Sequence, residues 1–288
     1  MNAEEYPEHV LKRIQSECNL PAMPSIVYRL LDLVNNVQID IHDIAEVINL
    51  DPIMAGRILK LANSVVFSGG DTIDTIDQAV MRVGFKNVKD IVISISMMNA
   101  FRQPHAVQHE MFWRHSLSVA WGAKQVERMS TRTANEATYL CGLLHDIGIL
   151  VLDLFFNDHY PSIVEEAAQQ QRPLHVIEKE ILGVDHAQVG ALLMERWQLP
   201  AAIIEAVRQH HHPVASQAAE TRMAQWVHIA DFACNSQGIH NSIVAKKDEF
   251  YTEAWTGTHL TLKDIPKIVQ DINKQVSLAT EIIRTAKS

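Results

Sequence analysis

Cysteine is scarce. The chain has three in 288 residues, Cys18, Cys141 and Cys234, far apart and without CxxC spacing. That excludes a disulfide framework and a thiolate zinc site, and leaves them as small core residues. Glycine (11) and proline (10) are also few, and no glycine-rich phosphate loop is present. No apolar run reads as long enough to span a bilayer, and Met1 to Glu8 is polar and acidic, unlike a signal peptide. The expectation is a soluble, cytoplasmic protein with no membrane partner. Basic residues are outnumbered, 25 Lys and Arg against 34 Asp and Glu, for a formal net charge of −9. Nucleic acid is therefore not an expected partner, because counterion release needs clustered Lys and Arg.

What is abundant is apolar residues (47%) and histidine (15). The length allows a sizeable core, as one large domain or two lobes. Apolar residues fall at spacings of three and four, and strand-like alternation is rare, so the chain reads as mostly helical. A leading helix covers Tyr6 to Glu17. Leu20-Pro21-Ala22-Met23-Pro24 is extended, since each Pro disfavours helix in the residue before it. Helices follow with an apolar face of Ile26, Leu30, Leu31, Leu33 and Val34, then over Ile41 to Ile48, then from Asp51 as N-cap and Pro52 as first residue to Asn63-Ser64. After a turn at Ser68 to Asp71 comes a helix from Ile76 to Val83, ended by Gly84. Val88 to Ala100 is apolar on nearly every side and should be buried between lobes. The polar stretch Arg102 to His109 marks the junction, giving an N-terminal lobe over 1–104 and a second lobe over 105–288.

The second lobe opens with a helix carrying Phe112, Trp113, His115, Ser116, Val119 and Ala120. The apolar run Tyr139 to Phe156 reads as one helix containing His145-Asp146. Further helices span Tyr160 to Gln171 and Leu174 to Leu182. The helix His186 to Trp197 has an Asp185/Gln188 capping box. Another runs from Leu199-Pro200 to His210-His211-His212, and another from Thr221 to Asn235. Gly238 to Leu262 is irregular. A last amphipathic helix begins near Asp264 and buries Ile268, Val269, Ile272 and Val276. Asp40 to Asn63 has the outline of a helix-turn-helix with Arg57 and Lys60 on its second helix. The acidic balance makes simple helix packing the better account.

The chemistry centres on His145-Asp146. A buried carboxylate needs a hydrogen-bond network, a counter-charge or a metal, and neutral His with Asp is a common ligand pair for a divalent ion. Partners lie in other helices. His115 is on an inward face. His186 follows a cap residue at a helix N-terminus, where the dipole favours neutral imidazole. His210 and His211 are seven and eight residues after Ile203, so one of them should face inward, and His212 should not. Asp231 sits among Val227, Ile229, Ala230 and Ala233. Helical bundles build metal sites from such residues on separate helices. His145, Asp146, His115 and Asp231 could close one site, and His186 with His210 or His211 a second, bridged by Asp146. Two ions suit phosphoryl chemistry. Mixed nitrogen and oxygen ligands without thiolate suit Fe, Mn, Zn or Ni.

These motifs resemble the HDOD family, a regulatory branch of the HD superfamily of metal-dependent phosphohydrolases. In the first lobe the resemblance is carried by Leu20 to Pro24, Asp51-Pro52, Leu59, Leu61 to Ser64, Ile76, Ala79 and Gly84. In the second it is carried by Phe112 to Ser116, Gly142 to Gly148, Asp185-His186, Val189-Gly190, Trp197, Leu199-Pro200, His210-His211 and Pro213. It covers roughly residues 18 to 235 and implies an all-α, two-lobed architecture. It also implies a bacterial signalling module of the kind often joined to receiver or diguanylate-cyclase domains. Neither is visible here, so input would come by binding a nucleotide or a signalling protein. His115, His145, Asp146, His186, His210 and Asp231 match HD-type ligand positions. The expected function is a regulatory or scaffold module with an HD-type metal site. The alternative is a phosphohydrolase acting on a nucleotide or cyclic dinucleotide, with Asp146 bridging and His210 moving protons. The chain is similar to the HD-GYP phosphodiesterases in its ligands but has Ile149 where they carry Lys. It also lacks a Gly-Tyr-Pro after His210-His211, and both departures argue against cyclic-di-GMP hydrolysis.

Overall fold

The computed structural model describes residue 14 and residues 20–34, 40–67, 69–101, 104–132, 135–213, 219–243, 245–246 and 249–287. It is helical, with no strand among the described residues. The expected leading helix lies outside those residues except for Ile14, which is helical and buried. Of the three cysteines, Cys141 and Cys234 are free and buried, and Cys18 lies outside the described residues.

Two compact units are present: Pro21–Arg102 with Val276–Ser288, and Met1–Leu20 with Gln103–Gln275. They differ from consecutive lobes over 1–104 and 105–288 at both ends: Met1–Leu20 groups with the second unit, and the last helix is divided between the two. That helix has 23 residues, about 34 Å at 1.5 Å per residue.

The first unit holds α1 (Ser25–Val34), α2 (Ile41–Asn49), α3 (Pro52–Ala62), α4 (Ile76–Val83) and α5 (Phe85–Ala100). Each boundary has a local cause. Asp40 and Asp51 accept backbone N–H bonds at the starts of α2 and α3, with Pro52 at the first helical position. Gly84, at φ +90°, separates α4 from α5, a conformation side chains resist. In α1 the fully buried residues are Val27 and Leu30, while Ile26, Leu31 and Leu33 are half-buried. Val88 to Met98 of α5 are buried throughout.

Asn63 fastens the end of α3. Its amide donates to the Leu59 and Ile73 carbonyls at 3.1 and 2.8 Å, and its oxygen accepts the Ile73 N–H at 3.0 Å. Asn63→Leu removes all three bonds. It should destabilise this unit by about 3 kcal/mol, at roughly 1 kcal/mol per net bond. Hydrogen exchange should show lost protection around Ile73 before any change at residues 139–155, and equal loss in both places would refute the assignment.

The second unit holds α6 (His109–Thr131), α7 (Glu136–Leu144), α8 (Ile147–Phe155), α9 (Tyr160–Gln170), α10 (Leu174–Leu182), α11 (His186–Arg196), α12 (Ala201–Arg208) and α13 (Ala219–Ser236). It also holds the first half of α14 (Ile265–Lys287). α13 and α7 pack on α6, and α8 packs on α11. The α6–α7 contact is close enough that a Cβ on Gly142 would lie 2.6 Å from the Ala120 Cα. Glu136–Phe155 does reach membrane-spanning length and apolarity, contrary to the sequence expectation, but 89% of the stretch is buried inside the protein. Its apolarity serves the core.

Candidate metal centre

His145 and Asp146 do not sit inside a helix. α7 stops at Leu144, the two residues form a turn, and α8 starts at Ile147. Asp146 stands at the N-cap position of α8, yet its side chain makes no cap bond. The usual N-cap role is given up, and both carboxylate oxygens face histidines. Oδ2 lies 3.3 Å from His145 Nε2 and 3.7 Å from His115 Nε2. Oδ1 lies 3.4 Å from His186 Nε2 and 3.6 Å from His210 Nε2. Asp231 Oδ1, from α13, is 3.1 Å from His115 Nε2 and 3.9 Å from His145 Nε2. His211 Nε2 is 2.8 Å from His186 Nε2.

Five chain segments supply these groups. His115 comes from α6, His145 and Asp146 from the α7–α8 turn, and His186 is the first residue of α11. His210 and His211 follow α12, which ends at Arg208. The histidines therefore do not extend that helix, as periodicity predicts, but lie in bends beyond its C-terminus. Their ranking by depth still matches expectation: His210 is buried, His211 half-buried and His212 exposed.

The rings share one orientation. Nδ1 of His115, His145 and His210 lies 2.9, 2.8 and 2.7 Å from the carbonyl oxygens of Ile239, Gly142 and Val207. A carbonyl only accepts, so each Nδ1 carries a proton, which leaves Nε2 as the nitrogen whose lone pair faces the cluster whenever the ring is neutral. His186 Nδ1 is held at 2.6 Å by Glu178 Oε2. The Nε2 atoms of His145 and His210 are buried and have no hydrogen-bond partner among the described residues. An unmet buried polar atom costs about 1–3 kcal/mol, and a cation beside the carboxylate would relieve both.

The spacing fits as well. Two ligands each ~2.1 Å from one ion, at ~90–110° to each other, stand ~3.0–3.4 Å apart by ordinary zinc bond lengths. Within 4.8 Å of one another lie two groups of ligand atoms, those of His115, His145 and Asp146 and those of His186, His210 and His211. The residues present suit a divalent metal.

Electrostatics agree. Burial opposes ionisation of Asp146, yet His145, then His186 and His210, hold it well below the usual carboxylate value. Asp231 is brought to about 2, against burial, chiefly by His115 and His145. Burial and neighbouring imidazoles push His210 and His211 down. At His145 burial is outweighed by Asp146 and Asp231, and at His186 by Glu178 and Asp146, so both are raised.

Several participants go beyond the sequence expectation. Glu178 on α10 is fully buried and binds His186. Asn241 donates to Asp146 Oδ2 at 2.7 Å, and Asn235 donates to Asp231 Oδ1 at 2.8 Å. His175 stacks on His211 with ring centroids 4.2 Å apart. His228 is a structural histidine: Nδ1 donates to the His210 carbonyl and Nε2 accepts the Tyr251 N–H. A cavity of about 50 Å³ opens over the cluster, with Ile149, His175, Asn241 and Lys246 in its walls.

The HDOD domain profile matches residues 20–213. Among solved structures, an HDOD domain protein of unknown function from Geobacter sulfurreducens superimposes with a TM-score of 0.80 at 22% identity, covering 97% of each chain. A candidate signal-transduction protein from Marinobacter aquaeolei VT8 gives 0.80 at 21% identity, covering 97% of this chain and 65% of that one. A candidate phosphohydrolase from Shewanella amazonensis SB2B gives 0.67 at 22% identity, covering 96% of this chain and 97% of that one. At such identities the likeness concerns the fold. The chain spans 38% and 32% of the length of the two curated relatives it matches, each at 27% identity.

Proposed function

The chain belongs to the HDOD domain family, and from that membership we propose a signal-transduction protein whose HD-type site holds one or two divalent ions and hydrolyses a phosphate ester. The observation that carries this is the division of Asp146: one oxygen faces His115 and His145, the other His186 and His210. Asp146 would be the ligand common to both groups, as a site for two ions in phosphoryl chemistry would need. Divalent ions held there would supply Lewis acidity to a phosphoryl group and make water nucleophilic at neutral pH. Fe, Mn, Zn and Ni all suit the nitrogen and oxygen donors.

The protein's own groups prepare the site. Backbone carbonyls fix three rings with Nε2 inward, Asn241 orients Asp146, and burial of His210 keeps it neutral and able to ligate. A second reading is a regulatory module that keeps a metal for structure and works by binding a nucleotide or signalling protein. It is favoured by Ile149, an apolar side chain in the cavity wall where the HD-GYP phosphodiesterases carry a Lys.

Elemental analysis of untagged protein, purified without added metal, should find one to two equivalents of these metals. The loaded protein should hydrolyse an activated phosphodiester, and His210→Ala should lower turnover at least ~100-fold, the scale of a lost acid–base or ligand contribution. Metal without turnover would leave the regulatory reading. Equal turnover in both proteins would mean contaminating hydrolysis, and no metal would remove the site.

A further inference from the structure

The two groups of ligands around Asp146 are built differently. His115, His145 and His210 rest their Nδ1–H on neutral backbone carbonyls. His186 alone rests on a carboxylate. Glu178 Oε2 accepts both its ring Nδ1–H, at 2.6 Å, and its backbone N–H, at 2.8 Å. The other oxygen, Oε1, accepts the Tyr160 hydroxyl. Glu178 and Tyr160 are both completely buried. Burial and the neighbouring Glu178 push the Tyr160 hydroxyl well above its usual range, so it stays a donor. A buried carboxylate is costly unless its lone pairs are met. Here three donors meet them: the Tyr160 hydroxyl and the ring and backbone N–H groups of His186.

We infer that Glu178, held by Tyr160, is a positioning residue that makes the His186/His210/His211 position the tighter of two metal positions and the first to fill. This rests on the metal-binding reading above. A carboxylate behind a ligating imidazole fixes its tautomer and raises its donor strength, and loss of such a partner costs ~10–100-fold in metal affinity. The same position offers three imidazoles and one carboxylate oxygen. Its neighbour offers two imidazoles with Asp146 Oδ2 and Asp231. Borderline ions favour the nitrogen-rich set. The two positions are therefore unequal in ligand type and in what stands behind the ligands.

The test is a Co²⁺ titration of the full chain after chelation, followed by visible absorption and calorimetry. The wild type should bind in two resolved steps with different spectra. Glu178→Gln keeps the shape and an acceptor for Nδ1–H but removes the charge. It should weaken the first step ~10–100-fold and shift its absorption band, with the second step and its band unchanged. Tyr160→Phe, which leaves Oε1 buried without its donor, should weaken the same step several-fold, and it decides the matter if Glu178→Gln does not fold. Unchanged steps, or equal weakening of both, would overturn the inference while leaving the metal site standing. A wild type that takes up no Co²⁺ would remove both. Turnover is not read here, so loss of the hydrolase proposal alone would be seen separately.

Discussion

Asp146→Ala should leave the protein folded and nearly metal-free, with hydrolysis of an activated phosphodiester reduced to background. The expectation follows from one side chain serving both ligand groups. Its two oxygens lie 3.3–3.7 Å from four imidazole nitrogens, so its loss removes an anionic ligand from each position at once. Replacing one of the histidines touches one group: His145→Ala leaves His186, His210 and His211 in place. Asp146→Asn separates charge from shape. It keeps the volume and the contact with Asn241 but gives the imidazoles no anion, so it should lose metal nearly as fully as Asp146→Ala. The fold should survive both, because Asp146 makes no cap bond at α8 and the apolar core around it is untouched. Far-ultraviolet circular dichroism should show retained helicity, and elemental analysis should show the loss. Full metal content in Asp146→Asn would mean that Asp146 is a bystander and that the imidazoles alone hold the ion.

The site was legible in the sequence where a polar residue interrupts an apolar pattern. Asp231 and His115 stand out because their helices are otherwise apolar on that side, and Asp146 because Tyr139 to Phe156 has almost no other charge. Glu178 carries the same signal in a quieter form. Leu174, Ile177 and Leu182 form the buried stripe of α10, and Glu178 falls on it, four residues from either leucine. Asp153, seven residues beyond Asp146, is another interruption, and its buried carboxylate accepts the backbone N–H groups of His105 and Ala106. Asn241 has no such mark. It lies in irregular chain, where direction depends on tertiary contacts and no period exists to break. Periodicity also misplaces His210 and His211, since α12 ends at Arg208. The bends after it turn both rings inward by the Val207 carbonyl and the neighbouring imidazoles, which no helical wheel describes. Likewise the turn at His145-Asp146 breaks a run that apolarity alone makes continuous.

Gly148→Ala should be a severely damaging single-methyl change, costing roughly 3 kcal/mol or more and most of the bound metal. A Cβ at Gly148 would stand 1.9 Å from the His186 carbonyl oxygen and 2.7 Å from the Gly190 nitrogen. Those are backbone atoms of α11, and a helix backbone does not rotate out of the way as a side chain does. Overpacking a core commonly costs ~1–3 kcal/mol, and a clash between two helix backbones belongs at or beyond the top of that range. Gly190 answers Gly148 across the interface, with its own added Cβ only 3.4 Å from the Gly148 nitrogen. The close approach of α8 to α11 is what sets His186 beside Asp146: one helix begins just after the carboxylate, and the other begins at the imidazole. Pushing them apart by even 1 Å lengthens the 3.4 Å spacing between His186 and Asp146 beyond what one ion spans. Stability and metal content should therefore fall together in Gly148→Ala, whereas Asp146→Ala loses metal and keeps its fold. Thermal unfolding and elemental analysis of the two variants side by side would separate the packing of the site from its chemistry. A Gly148→Ala protein with wild-type melting and full metal content would show that α8 and α11 do not need to touch.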